Sequence, residues 1–258
     1  MIMEAIWMKP EFITAIIAAI VAVISAIVSI YGQNRIARLT DRLKKQREAE
    51  SHEAQTAALM SKYRDPLLRS AIDLQSRLYN IHQNRFLENF YNRSASSQSY
   101  ATNNTLYVVA EYLGWVEILR REVQFLDLGD QGMNRHLSEL LVNINQAFAQ
   151  YKAGDTFQLH NGEQRAIGEI MTVPRSNNES IGYDCIGYAT FVKKMNDPEF
   201  ASWFTQLRDD IDLMVVNASQ NNRKRLLLIH SKLIDLIDFL DPYCVRVPPK
   251  YRTRIEEV

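Results

Sequence analysis

The chain has 258 residues, 47% of them hydrophobic, enough to build a full core. Thirty basic residues balance thirty acidic ones, which argues against nucleic acid as a main partner. Cys185 and Cys244 are too few for a secreted disulfide scaffold.

Residues 1–11 form a short, nearly neutral tail containing Glu4, Lys9 and Glu11. Phe12 to Tyr31 then runs for twenty residues without a charge, followed by Arg35, Arg38, Arg42, Lys44, Lys45 and Arg47. As a helix, twenty residues at about 1.5 Å each cover the roughly 30 Å hydrocarbon core. Seven Ile, three Val and Phe12 contribute about −3 to −7 kcal/mol to insertion, against small penalties from Thr14, Ser25 and Ser29. A soluble core helix would show a polar face, and this one has none. A cleavable signal peptide would carry its positive charge before the apolar run, not after it. The stretch 12–32 therefore predicts a single transmembrane helix in the inner membrane. The basic flank sets the amino terminus outside and the rest in the cytoplasm. The sequons at Asn92, Asn103, Asn178 and Asn217 are then incidental.

Ala15, Ala18, Ala22, Ser25 and Ser29 recur every three or four residues and so share one helix face. Small residues there let two membrane helices approach closely. Gly32, Ile36, Leu39 and Leu43 continue the same phase, so the small seam becomes an apolar heptad seam. The rhythm fails at Gln46 and Glu50. A homo-oligomer joined through this helix and a short coiled coil is expected. Residues 33–62 contain one glycine-free, proline-free run from Gln33 onward and read as a helical stalk whose basic half faces lipid headgroups.

Residues 63–242 read as a cytosolic domain. Asp65-Pro66 carries the signature of a helix start, an N-cap carboxylate followed by proline, for a helix to about Tyr91. SASSQS (94–99) reads as a loop. A second helix spans about 102–126, with Gly129 and Gly132 in the following connection, and a third spans about 134–151. Residues 155–184 are least regular: an extended piece at 155–159, a helix capped by Asn161 over 163–171, and a polar loop at 174–180. Further helices are expected at 185–195, at 197–216 after a second Asp-Pro, and at 222–240, stopped by Pro242. Residues 243–258 are left as a tail. No strand alternation competes, so the fold class is all-α: a transmembrane helix, a stalk and a multi-helix bundle.

Chemistry is sparse. The five histidines are scattered, and no metal, dinucleotide, P-loop or hydrolase motif occurs, so neither metal nor cofactor is expected. Three polar clusters remain. Glu117, Arg120, Arg121 and Glu122 lie beside the apolar face of Trp115, Leu119 and Val123. Glu163, Gln164, Arg165 and Glu169 are accompanied by Gly162 and Gly168. Asp235, Asp238 and Asp241 form an acidic stripe; in preference to a Mg²⁺ site, Asp241-Pro242 reads as a helix stop and the other two as a solvated edge. Glu117, Arg120, Arg121, Glu163 and Arg165 are the candidate ligand-binding residues, for an anion.

The segments YRDPLLRSAIDLQSRLYNI (63–81), NTLYVVAEYLGWVEILRREVQFLDLG (104–129), GEQRAIGEI (162–170) and LIDLIDFLDP (233–242) resemble a widespread family of bacterial proteins with no established activity. The resemblance implies a bacterial source and one shared domain, and it supplies no catalytic residue. The leading expectation is a membrane-anchored, self-associating module that binds a protein or small-molecule partner as a sensor or effector. A role in bacterial defence is its specific form, by analogy of architecture. The rival expectation is a membrane-tethered enzyme acting on an anionic small molecule.

Overall fold

A computed structural model describes residues 10–123, 131–151, 156–175, 182–216 and 223–255. The chain is mostly helical and divides into two compact units, residues 1–55 and 56–258.

Helix α1 spans Pro10–Gln83, so its residues belong to both units. In the first unit, one stretch of α1 is long and apolar enough to cross a membrane, and none of its apolar window is buried. Every residue from 14 to 51 is exposed, including Ala15, Ala18, Ala22, Ser25, Ser29, Gly32, Ile36, Leu39 and Leu43.

The expected helix start at Asp65-Pro66 is not there, because Pro66 lies inside α1. Proline has no N–H to give the carbonyl four residues back, yet the helix continues. The preceding residues are already helical, so no cap is required. Asp65 instead pairs with Arg246 at 2.6 Å. The expected end at Tyr91 also moves. Arg85 adopts a left-handed conformation (φ 47°) and separates α1 from a short α2, Phe86–Tyr91.

The predicted SASSQS loop is the first part of α3, Ala95–Val123. Ser94 explains it: its Oγ accepts the Ser97 N–H at 3.1 Å and starts the helix seven residues early. Helix α4 is Gln131–Ala149, so Gly132 is helical, whereas Gly129 lies outside the described residues. Helix α5 is Asn161–Ile170, with His160 rather than Asn161 at the N-cap. Asp197-Pro198 does start a helix: Asp197 accepts the Glu199 N–H at 3.0 Å. The predicted single helix divides into α7, Pro198–Ser202, and α8, Thr205–Val216. The step between them is closed by the Phe204 N–H on the Ala201 carbonyl. Before them comes α6, Tyr188–Lys194, and after them α9, Lys224–Leu240.

One small sheet corrects the purely helical expectation. Strands β1, Thr172–Pro174, and β2, Tyr183–Cys185, pair antiparallel with Val173 opposite Asp184. Pro174 ends β1, where no inward N–H is needed. Cys185 therefore belongs to a strand and not to α6. Residues 176–180 of the expected polar loop lie outside the described residues.

The core of the second unit is continuous. It contains Leu67, Leu74 and Ile81 of α1, Leu106 and Leu113 of α3, Ile144 and Phe148 of α4, and Ile229, Leu233 and Ile237 of α9. Phe191, Phe200 and Phe204 stack edge-on or tilted, with ring centroids 5.2–5.7 Å apart. Helix α3 packs on α5, and α4 packs on α9.

Candidate functional site

Helices α3 and α5 meet without a side chain between them at one point. A Cβ on Gly168 would stand 2.8 Å from both the Leu113 carbonyl oxygen and the Glu117 Cβ. A second close approach sits nearby, where a Cβ on Gly114 would stand 2.8 Å from Cys185 Sγ. These two glycines let α5 and β2 lie against α3 and bury Glu117 to 3% exposure.

Glu117 is not left alone there. Arg120 donates Nε and Nη2 to its two oxygens at 2.8 and 2.7 Å, a bidentate clasp. Arg121 adds Nε at 2.6 Å. Burial alone would raise the Glu117 carboxyl; the hydrogen bonds and charges of the two arginines outweigh it and hold the carboxyl below its usual range. The same contacts raise both guanidinium groups. Arg121 then reaches Glu169 at 3.4 Å and lies over the Tyr183 ring. Glu122 accepts the Tyr183 N–H at 2.6 Å, tying β2 to α3.

A cleft of about 240 Å³ opens between α3, α4 and α5. Glu117 and Arg120 line it from α3, Asn145 from α4, and Gln164 and Arg165 from α5, beside the apolar Leu113, Val116 and Val142. Three of the five predicted ligand residues, Glu117, Arg120 and Arg165, are thus brought together. Arg121 is turned towards Glu169 and Tyr183. Glu163 is committed to the helix: its Oε2 accepts the His160 N–H at 2.7 Å, half of a capping box. The sequence signal for that cap was obscured because His160 stands where Ser or Thr is usual.

Gln164 and Asn145 were not among the candidate ligand-binding residues. Gln164 is 4% exposed and donates Nε2 to the Asn145 and Leu159 carbonyls at 3.0 and 2.9 Å. Its Oε1 is buried without a hydrogen-bond partner, and so is Asn145 Oδ1. Gln164 belongs to the cluster that the sequence marked, but only burial distinguishes it. Asn145 gives no sequence signal at all.

The acidic stripe of α9 has a structural role. Asp241, 1% exposed, accepts the N–H groups of Val245, Arg246 and Val247 at 2.9–3.1 Å, and Arg252 at 2.6 Å. Asp238 also takes Arg252, and Asp235 takes Arg254. Residues 245–254 of the expected tail are therefore strapped to α9. Among the described residues no group of three or more His, Cys, Asp or Glu side chains is arranged to hold a metal.

No family model matches the chain, and no curated protein or solved structure matches it either.

Proposed function

We propose that the protein is a single-pass membrane-anchored module that self-associates through α1 and uses its second unit, in the cytoplasm, to bind a partner as a sensor or effector. The observation that carries this reading is the apolar window within Thr14–Ser51, with mean hydropathy 2.5 and none of it buried. An all-round apolar helix with nothing of its own chain against it is stable only when lipid or another apolar helix covers it. The basic residues from Arg35 to Arg47 favour an inner-membrane position with the amino terminus outside.

Self-association is supported by the continuous seam from Ala15 to Leu43. A strict heptad drifts about 20° per repeat on a straight helix, so a seam of this length favours a left-handed supercoil between copies. The test is crosslinking in membranes of the full chain and of the chain lacking residues 1–32. The expected result is a crosslinked oligomer for the former and its loss for the latter. A strictly monomeric full chain would contradict self-association.

The cleft between α3, α4 and α5 supports a second reading, a membrane-tethered protein whose second unit binds or processes an anionic small molecule. Two guanidinium groups at an indentation with apolar walls favour an oxyanion. A bacterial source, and a defensive role for an assembled membrane effector, rest on sequence resemblance and architectural analogy.

A further inference from the structure

We propose that anionic phospholipid headgroups bind the Arg35, Arg38 and Arg42 side of α1, and that this binding switches on self-association of the helix. The switch rests on the anchored, self-associating helix proposed above; an oligomer indifferent to lipid charge would refute the switch alone.

From Gln33 to Arg47 the exposed helix carries six basic residues against one acid, Asp41. Of the six, only Lys44 has an ion-pair partner among the described residues, Glu48 at 4.0 Å. Arg35, Arg38 and Arg42 are spaced by three and four and share one side of α1. They stand roughly 6, 10 and 16 Å along the axis beyond Tyr31, where the apolar run ends. Helical side chains lean towards the N-terminus, which here is towards the bilayer, so the guanidinium groups lie closer to the phosphates than their α-carbons do. Lys45 and Arg47 stand about 21 and 24 Å out, beyond two screening lengths of about 8 Å. Past them the charge reverses at Glu48 and Glu50. Unpaired positive charge is thus concentrated where lipid phosphate lies.

The same residues oppose association until they are neutralised. Ile36, Leu39 and Leu43 continue the seam at coiled-coil core positions, with Arg35 and Arg42 on one flank and Thr40 and Arg47 on the other. In parallel copies held by one membrane, flank meets flank, so Arg42 of one copy faces Arg47 of the next. No acid stands at a flanking position between Gln33 and Arg47 to make the usual salt bridge. Anionic headgroups gathered on this side cancel the repulsion and let the apolar seam close. A zwitterionic headgroup brings no net charge and cannot.

The experiment is fluorescence energy transfer between donor- and acceptor-labelled full chains, reconstituted into vesicles of phosphatidylcholine with and without phosphatidylglycerol. Phosphatidylglycerol should shift the monomer–oligomer equilibrium about tenfold towards oligomer, and high salt should erase the shift. Arg35→Gln/Arg42→Gln should lose most of this response while associating in phosphatidylcholine at least as well as the parent chain. Lys44→Gln/Lys45→Gln removes the same charge about 20 Å from the apolar run and should keep the response. All four side chains are exposed and glutamine is a good helix former, so circular dichroism should show unchanged helix content. Equal association in both vesicles, a response that survives Arg35→Gln/Arg42→Gln, or equal loss in both double variants would each overturn the switch. Absence of any oligomer in either vesicle would overturn self-association along with it.

Discussion

The α-carbon of Gly168 faces the buried stem of Glu117 so closely that an added Cβ would stand 2.8 Å from the Glu117 Cβ. The same Cβ would meet the Leu113 carbonyl at 2.8 Å, and a backbone oxygen in the middle of α3 cannot turn aside. Gly168→Ala should therefore push α5 from α3 and destabilise the second unit by about 1–3 kcal/mol. Gly162→Ala is the control, since no atom lies within 4 Å of its added Cβ. Chemical denaturation of both variants checks this; equal midpoints would show that the close approach carries no stability.

His230 should make the protein sensitive to mild acid. It is 1% exposed, its Nε2 lies 2.9 Å from Gln75 Nε2, and burial, helped by the charges of His82 and Arg254, pushes its pKa down to about 4. The ordinary value is 6.5, so between these two the unfolded chain takes up a proton that the folded chain refuses. Stability is complete above pH 6.5 and falls as pH drops towards 4, by about 3 kcal/mol in all. His230→Gln keeps an acceptor for Gln75 and removes the titration. Its melting temperature should be lower than wild type at neutral pH but fall less between these limits. Parallel pH profiles would contradict the assignment.

Asp241 holds the carboxy-terminal strap. Asp241→Asn keeps the shape but leaves Arg252, which is 7% exposed, without its buried charge partner. The expected cost is about 2–4 kcal/mol, with trypsin cutting at Arg246 to Arg254 well before the rest of the unit. Asp235→Asn removes only an outer contact and should leave the proteolysis pattern close to wild type. Similar patterns for both variants would show that Asp241 is not the anchor.

The two Asp-Pro pairs explain how far the sequence could be read. Asp197-Pro198 starts a helix because a turn precedes it, so the carboxylate is free to cap. Asp65-Pro66 has the same chemistry but sits within a helix that has already begun, and there its carboxylate serves Arg246. Local signals of this kind depend on what precedes them, and a single pattern cannot supply it. SASSQS was misread for the converse reason: a serine-rich composition resembles a loop until Ser94 is seen as a cap. The apolar positions of α3, α4 and α9 were legible because periodicity reports burial directly. The three-residue strands are too short for alternation to show.

The site was legible in part for related reasons. Charges beside an apolar stripe marked Glu117 and Arg120, and both line the cleft. Glu163 was marked instead by the glycines around its charged cluster, yet a main-chain N–H claimed it. The unpaired side-chain oxygens of Gln164 and Asn145 appear only when the helices are assembled, because being unpaired is a property of the packing.

Membrane anchoring is the central claim, and carbonate extraction of cell membranes tests it most directly. The full chain should remain in the membrane pellet at alkaline pH, because about twenty apolar residues have no other cover. The chain lacking residues 1–32 should move to the soluble fraction. Release of the full chain by carbonate would contradict the account.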